Sequence, residues 1–254
     1  MNKLLHHLNI HYTSNSVDNS KIECLWCGKN ALSIDNEQPF EFQCFGCKQS
    51  GNAYTIIRQF YDSLPELSRQ QSIELTKHKK GIKPLALKNI GIKCYLNTYY
   101  IPIYNNLNSL TALHKYKIGD EAVFSSPKPI SLTIIGLQHL NKKHNNVLIC
   151  EGHWDYITLY NYDLGTDTDL LGVSGSFYPA SYLHYLKNKH ICLLFDNDEA
   201  GKAGIEHIAR NIKLTSTEIK SISYLDWSKI SLPQYDNIPT KFDIRDLHNS
   251  LKEN

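Results

Sequence analysis

Val147-Leu148-Ile149-Cys150-Glu151-Gly152-His153-Trp154-Asp155 decides how the chain is read. Four apolar residues run into an acid and a glycine, and a second acid follows four positions after the first. A short continuous apolar run predicts a buried parallel strand. The C-terminal ends of such strands are where open α/β sheets hold their ligands. Glu151 then stands at the strand end, Gly152 makes the tight turn, and Asp155 lies in the first turn of the next helix. Residues four apart share a helix face, so Asp155 can point back toward Glu151.

A second segment repeats the layout. Ile191-Cys192-Leu193-Leu194-Phe195 is another apolar run, and Asp196-Asn197-Asp198-Glu199-Ala200-Gly201 follows it and opens a helix. If the two strands are parallel neighbours, Glu151, Asp196 and Asp198 gather at one edge. Clustered carboxylates raise one another's pKa unless a cation joins them. All-oxygen sites suit hard divalent ions, magnesium above all. Any one of these acids is as well explained as a solvated strand-end residue, but the set, on two matched strand-turn-helix units, is not. Gly201-Lys202-Ala203-Gly204 lacks the spacing of a phosphate loop.

The pattern continues around these two units. A helix runs from the Glu151 turn to about residue 162. Leu170-Leu171-Gly172-Val173 reads as a strand ending in Ser174-Gly175-Ser176, and Pro179 is placed to begin a helix. A helix follows Asp198 through about residue 213, and residues 219–224 form a further strand. Lys241-Phe242-Asp243-Ile244-Arg245-Asp246-Leu247 opens a final short helix with two acids. Such alternation predicts an α/β fold with a parallel sheet and flanking helices.

The N-terminal part carries a different signal. Cys24-Leu25-Trp26-Cys27 and Cys44-Phe45-Gly46-Cys47 are two CxxC pairs. Their separation is that of a four-thiolate structural zinc site. Phe40-Glu41-Phe42-Gln43 alternates like a β-ribbon. Trp26, Phe42 and Phe45 can either stack on bases or fill the core of this small module. Ser50-Gly51-Asn52 caps a helix with Ile56, Ile57, Phe60 and Tyr61 on one side. A second helix starts near Ser63, its expected N-cap, and fades into Lys77-His78-Lys79-Lys80-Gly81, read as a solvated hinge. Residues 1–20 read as a short helix and a polar stretch.

The expected division is a zinc-ribbon domain over 1–64, a linker over 65–85, a small mixed α+β basic subdomain over 86–143 and the acidic α/β domain over 144–254. In the subdomain a short helix covers about 85–89. Tyr99-Tyr100-Ile101-Pro102-Ile103-Tyr104 is strand-like and turns at residues 105–109 into Leu110-Thr111-Ala112-Leu113-His114-Lys115-Tyr116-Lys117. Lys115 and Lys117 share a face, where they can hold a nucleic-acid backbone or nucleotide phosphates or simply be solvated.

The 254 residues allow one or two domains with a real core. Hydrophobic content of 41% and charged content of 20% are ordinary for a soluble protein. The net charge of +2 confines any nucleic-acid surface to a local patch. No apolar run approaches a membrane span and no signal-peptide core opens the chain. The expectation is therefore a cytoplasmic protein with no membrane contact and reduced cysteines.

Glu151-Gly152-x-x-Asp155 followed by Asp196-x-Asp198-x-Ala200-Gly201 resembles the TOPRIM domain shared by bacterial-type primases, topoisomerases and some nucleases. The wording around these motifs, Tyr100-Ile101-Pro102-Ile103-Tyr104, and the four-cysteine ribbon followed by Ser50-Gly51-Asn52 are similar to the bacterial and phage (DnaG-like) DNA primases, in particular the primase half of phage primase-helicases. The resemblance covers roughly residues 1–250. It implies RNA-primer synthesis from ribonucleoside triphosphates on a single-stranded DNA template during replication, by a nucleotidyltransferase of phage or mobile-element type.

The resemblance also implies residue roles. Glu151 is the central acid, Asp196 and Asp198 hold magnesium or manganese, two ions in all, and Asp155 assists. Asp243, less closely Asp246, matches the late acidic motif. Lys115 and Lys117 fall where template and nucleotide are held. Zinc on Cys24, Cys27, Cys44 and Cys47 shapes a domain that reads the template.

The chain departs from the family pattern in three places. Its zinc set is all cysteine, where many cellular members have a histidine. His153-Trp154 fills the Glu-Gly turn in an unusual way. No helicase domain follows, so the replicative helicase is expected to be a separate protein. Two other classes stay open: a DNA-binding recombination mediator with zinc and TOPRIM modules, and a decayed primase kept as a replication accessory. A nicking or topoisomerase-like enzyme needs a catalytic tyrosine domain, for which no room is expected after Asn254.

Overall fold

The structure is a computed structural model. It describes residues 22–35, 41–119, 123–125, 134–162, 164–174 and 178–252. The helix expected within 1–20, Phe40 and the turn residues Gly175 and Ser176 lie outside the described residues. Contacts divide the chain into two compact units.

The first unit takes in the described residues of Met1–Leu67, Gly91–Ile103 and Ser109–Ile130. It starts with an antiparallel ribbon in sequence order, β1 (Ile22–Glu23), β2 (Asn30–Ile34), β3 (Glu41–Cys44) and β4 (Ser50–Asn52). On β3, Phe42 and Cys44 are buried while Glu41 and Gln43 are exposed, the period of two that puts alternate side chains on opposite faces. Asn52 then caps α1 (Ala53–Ser63). Its Oδ1 accepts from the Tyr54 and Thr55 amides, and the Thr55 hydroxyl accepts from the Asn52 amide, a reciprocal capping box.

A second antiparallel sheet follows, also in sequence order: β5 (Lys93–Tyr95), β6 (Thr98–Tyr104), β7 (Leu110–Lys117) and β8 (Val123–Ser125). The turn between β6 and β7 holds Asn108 at φ 58°, and the Leu107 amide donates to Asn105 Oδ1. Ile56, Ile57 and Tyr61 bury one face of α1. Phe60 meets Tyr100 edge-on at 5.2 Å. The Tyr61 hydroxyl donates to Gly91 O, and Lys93 Nζ lies 4.7 Å over the Tyr61 ring while donating to Leu64 O.

The second unit takes in Ser68–Ile90, Tyr104–Asn108 and the described residues of Ser131–Asn254. The helix expected to start near Ser63 is α2 (Arg69–His78), and the short helix expected over about 85–89 is α3 (Pro84–Ile90). Ser68 caps α2, exchanging hydrogen bonds with Gln71. Ser63, the cap expected from the sequence, instead closes α1, its hydroxyl donating to Phe60 O. Pro65 explains the five-residue shift, since the residue before a proline is driven out of the helical region and Leu64 is extended.

The main sheet is built from β9 (Ile134–Ile135), β10 (Asn146–Glu151), β11 (Thr168–Val173), β12 (His190–Leu194) and β13 (Ser221–Tyr224). Its order is β13-β12-β10-β11-β9. The first four strands are parallel and β9 runs antiparallel to β11. This is the expected TOPRIM-type α/β sheet. The connections are α4 (His153–Leu159), a 3-10 helix over Ala180–Leu186 directly after Pro179, and α5 (Glu199–Thr215); α6 (Ile244–Lys252) closes the chain.

Val147, Ile149, Leu171, Val173, Ile191 and Leu193 pack with Leu183, Leu186 and Ile208 into one core. At the N-terminal ends of the strands, Lys189 Nζ is buried and donates to Asp169 Oδ2, Asn141 O and His144 O at 3.1, 2.8 and 2.6 Å. This bundle ties the polar loop before β10 to the sheet. Among the described residues, no helix is long and apolar enough to cross a membrane.

Candidate functional site

β10 and β12 are in register with Cys150 opposite Leu194. The next residues, Glu151 on one strand and Phe195-Asp196 on the other, therefore emerge at the same edge. The Asp196 amide donates to Glu151 Oε2 at 3.4 Å. Gly152 turns the chain at φ 86° and ψ 163°, a region only glycine enters freely. This delivers Asp155 to the first turn of α4, where it is 5% exposed. Its Oδ1 has no hydrogen-bond partner among the described residues.

On the other strand, Asp198 caps α5, its Oδ1 accepting from the Gly201 amide at 2.8 Å. Gly201 lets the helix rest on the strand end, since a Cβ there would stand 2.2 Å from Asp196 O. The Asp-x-Asp-x-Ala-Gly pattern is thus a cap and a close approach as well as an acid pair. Asp243 caps α6 in the same manner. Its Oδ1 accepts from the Asp246 amide, and Asp246 Oδ2 accepts from the Asp243 amide.

These acids act on one another electrostatically. Burial, then repulsion from Glu151, Asp243 and Asp198, pushes the Asp196 carboxyl up to about 8, with Arg245 partly offsetting. Burial, then Asp243 and Asp196, holds the Asp155 carboxyl well above the usual range. Five acids from three stretches of the chain thus share one basin. Its oxygens are spread: among the described residues, only the four cysteines bring three or more ligand atoms within 4.8 Å of one another. Glu151, Asp196 and Asp198 do not converge to that distance. Like charges repel, Asp198 gives an oxygen to its cap, and Asp243 Oδ2 is held by Arg245 at 2.7 Å.

Two cations here were not anticipated. Arg245 stands between the two late acids, a position visible in the sequence but without meaning until Asp243 is placed. Lys79, read as part of a solvated hinge, lies 5.0 Å over the Trp154 ring and is close enough to feel Asp243 and Asp155. No local pattern marks it, because the contact joins residues far apart in sequence.

Lys115 and Lys117 lie on β7 in the first unit. Burial, then the Lys117 charge, lowers the Lys115 ammonium. The two side chains follow Leu113 on one face of the strand, as the alternation predicts.

In the ribbon, Cys24 and Cys47 Sγ are 3.7 Å apart, and Cys27 and Cys44 Sγ 3.8 Å. A tetrahedron with Zn–S bonds of about 2.3 Å has edges of about 3.8 Å, so the four thiols fit one zinc ion. Backbone amides already favour thiolate at one of them: the Cys47 N–H, chiefly, holds the Cys44 thiol down to about 6. Burial pushes Cys24 up to about 12, a cost that a bound dication offsets. Trp26 stacks on buried Phe42 at 4.9 Å, whereas Phe45 is 55% exposed. Phe42 is therefore core, and Phe45 is the aromatic with an open face.

Residues 148–230 match the family model described as Toprim-like. An uncharacterized protein of Mycoplasma pneumoniae is 26% identical over 155 residues, 58% of this chain and 72% of that protein. The DnaG primase catalytic domain bound to single-stranded DNA superposes with a TM-score of 0.57 at 14% identity, over 79% of this chain and 76% of that one. The Aquifex aeolicus primase, zinc-binding and RNA polymerase domains, gives 0.51 at 12% identity over 98% of this chain and 81% of that one.

The chain is therefore an α/β protein with a Toprim-like domain and a four-cysteine cluster. Its fold is similar to that of the DnaG primase catalytic domain and the Aquifex aeolicus primase.

Proposed function

We propose that the protein is a DNA primase, joining ribonucleoside triphosphates into short RNA primers on single-stranded DNA. One observation carries this reading: Glu151, Asp155, Asp196, Asp198 and Asp243 act on a shared basin at the C-terminal edge of a parallel sheet. The primase-type fold around that sheet supports it.

In this reaction a 3′-hydroxyl attacks the α-phosphate of an incoming nucleotide and pyrophosphate leaves. Magnesium or manganese, two ions held between Glu151, Asp196 and Asp198, would lower the hydroxyl's pKa and neutralise charge on the phosphate oxygens. The donor set fits such ions in its chemistry, not in the present spacing of its oxygens. It is all oxygen, its members repel one another without a cation, and the buried Oδ1 of Asp155 lacks a partner among the described residues. Glu151 sits centrally, Asp155 and Asp243 assist, and Arg245 holds Asp243 in place. Lys115 and Lys117 take template or nucleotide phosphates. The zinc ribbon reads the template and offers Phe45 for stacking. A replicative helicase is the partner, and the work is done in the cytoplasm.

The test is primer synthesis on single-stranded templates covering all triplets, with ribonucleotides and magnesium or manganese. Wild type should yield short RNA, and Glu151→Gln should lower the yield by orders of magnitude while leaving the circular dichroism spectrum unchanged. No product from wild type sinks the reading.

A decayed primase acting as an accessory is the second reading. It draws on Asp243, whose two oxygens are both engaged by the α6 cap and Arg245. Under that reading Glu151→Gln changes nothing measurable in cells. A recombination mediator would not need the sheet over residues 93–125, which this chain has.

A further inference from the structure

We propose that a cavity beside Asp196 is a nucleoside subsite, taking the base and sugar of a ribonucleotide whose phosphates face the acid basin. The placing of the phosphates rests on the priming reading, while the chemistry of the cavity does not. The cavity holds about 330 Å³, within the range of small-molecule pockets. Phe195, Asp196 and Asn197 line it, so it adjoins the end of β12, where Asp196 feels the charge of the other acids. Tyr224, Trp227 and Ile238 line it as well.

Its surroundings are held in place from both sides. The Trp227 indole N–H donates to Phe195 O at 2.7 Å in a buried bond. Asn197 Nδ2 donates to Ile238 O and Pro239 O, the Asn197 amide donates to Phe242 O, and Asn197 O accepts from the Lys241 amide. The loop after β13 and the loop before α6 are thereby both fastened to the end of β12. A ligand would enter a preformed site and would not have to order one.

The lining selects the ligand class. Asp196 and Asp226 contribute carboxylates. The one lining ammonium among the described residues, Lys202, is paired with Glu199 at 2.8 Å, and Asp226 is paired with Lys229 at 3.1 Å. No net positive charge is left to attract a phosphate. A neutral flat ring with polar edges fits instead. Tyr224 is 57% exposed and offers a ring face for stacking. Ser228 and Asn237, also lining, carry the donors and acceptors that a base edge or ribose hydroxyls need.

The experiment titrates the full chain with adenosine, guanosine, cytidine and uridine in EDTA, by calorimetry or ligand-observed NMR, with inorganic tripolyphosphate as the charged control. At least one nucleoside should bind and tripolyphosphate should not displace it. Tyr224→Ala should weaken that binding by about tenfold or more, the loss expected for one base-aromatic stack. Ser228→Trp, which fills the cavity, should abolish it. Both variants should also raise KM for the matching triphosphate in primer synthesis. Absence of nucleoside binding, or equal binding by wild type and both variants, overturns the subsite. If nucleosides bind in a Tyr224-dependent way but no primer is ever made, the priming reading fails and the subsite stands. If primers are made while KM and nucleoside binding stay unchanged in both variants, priming stands and the subsite falls.

Discussion

The amide of Asp196 donates to the carboxylate of Glu151 across 3.4 Å, joining the ends of two neighbouring parallel strands. Forty-five residues of sequence separate the pair. The bond exists because Cys150 and Leu194 are in register, so both strands end at the same level. Every acid in the basin is placed relative to this junction. Gly152 leads from it to Asp155, and Gly201 packs α5 down onto it.

The first prediction concerns pH. In the folded chain Asp196 keeps its proton up to about pH 8, whereas an unfolded aspartate loses it near about pH 4. Between those values the folded state binds more protons, so stability falls as pH rises. Asp155 is shifted the same way and adds to the slope. In EDTA, the Tm of the second unit should drop between about pH 5 and about pH 8, and Asp196→Asn should flatten the drop. Magnesium or manganese should restore Tm at the upper end by replacing the lost protons. A Tm that climbs with pH in EDTA contradicts this account.

Zinc should be bound at about one ion per chain, because the sulfur separations already match the edges of a zinc tetrahedron. Chelation removes the cross-link between the two knuckles, and in small modules metal binding and folding are one equilibrium. Stripping the metal should cost the ribbon its strand signal in circular dichroism. Cys44→Ser should lower the zinc content measured by atomic absorption. Full stoichiometry in that variant would show that the metal sits elsewhere.

Gly201→Ala should destabilise the fold by about 1–3 kcal/mol, the usual cost of forcing a methyl into a packed contact. The added Cβ would meet Asp196 O at 2.2 Å, and backbone cannot swing aside as a side-chain tip can. The helix must lift, carrying Asp198 with it, so divalent-ion affinity should weaken too. Urea denaturation and a metal titration read the two effects separately. Unchanged stability would mean that the helix does not rest where the structure puts it.

At the opposite end of the sheet, Lys189→Met should cost about 3–5 kcal/mol, since it removes the ammonium paired with the buried Asp169 charge. The two side chains are 5% and 4% exposed, Lys189 also donates to two loop carbonyls, and Asp169 Oδ1 keeps the Asn141 amide and His144 Nδ1 as partners. The double change Lys189→Met with Asp169→Leu should recover much of the loss. Equal destabilisation by the single and double variants would show that the carbonyls, not the charge, matter.

Much of this molecule could be read from residues 147–155 and 191–201. Apolar runs of strand length, ended by acids and glycine, leave little choice but buried parallel strands turning into helices. The four-cysteine cluster was equally plain, because CxxC spacing is a local geometric demand. The reading failed where a local pattern had two outlets. Ser63 and Ser68 both resemble caps, and only the extended backbone before Pro65 separates them. The lysine-rich stretch at 77–80 looks like a hinge in isolation, yet α2 and α3 belong with the Toprim-like unit and Lys79 rests on Trp154.

By itself the sequence determined the element order, the acid positions at strand ends and the cysteine set, since these depend on neighbours within a few residues, where sterics and hydrogen bonding act directly. Only the tertiary structure decided which strands lie side by side, that Arg245 holds Asp243, that Phe42 is core while Phe45 is open, and that the carboxylates line a basin without meeting at a point. Those outcomes depend on register and burial between segments tens of residues apart. Many pairings satisfy the same local pattern, and packing selects one.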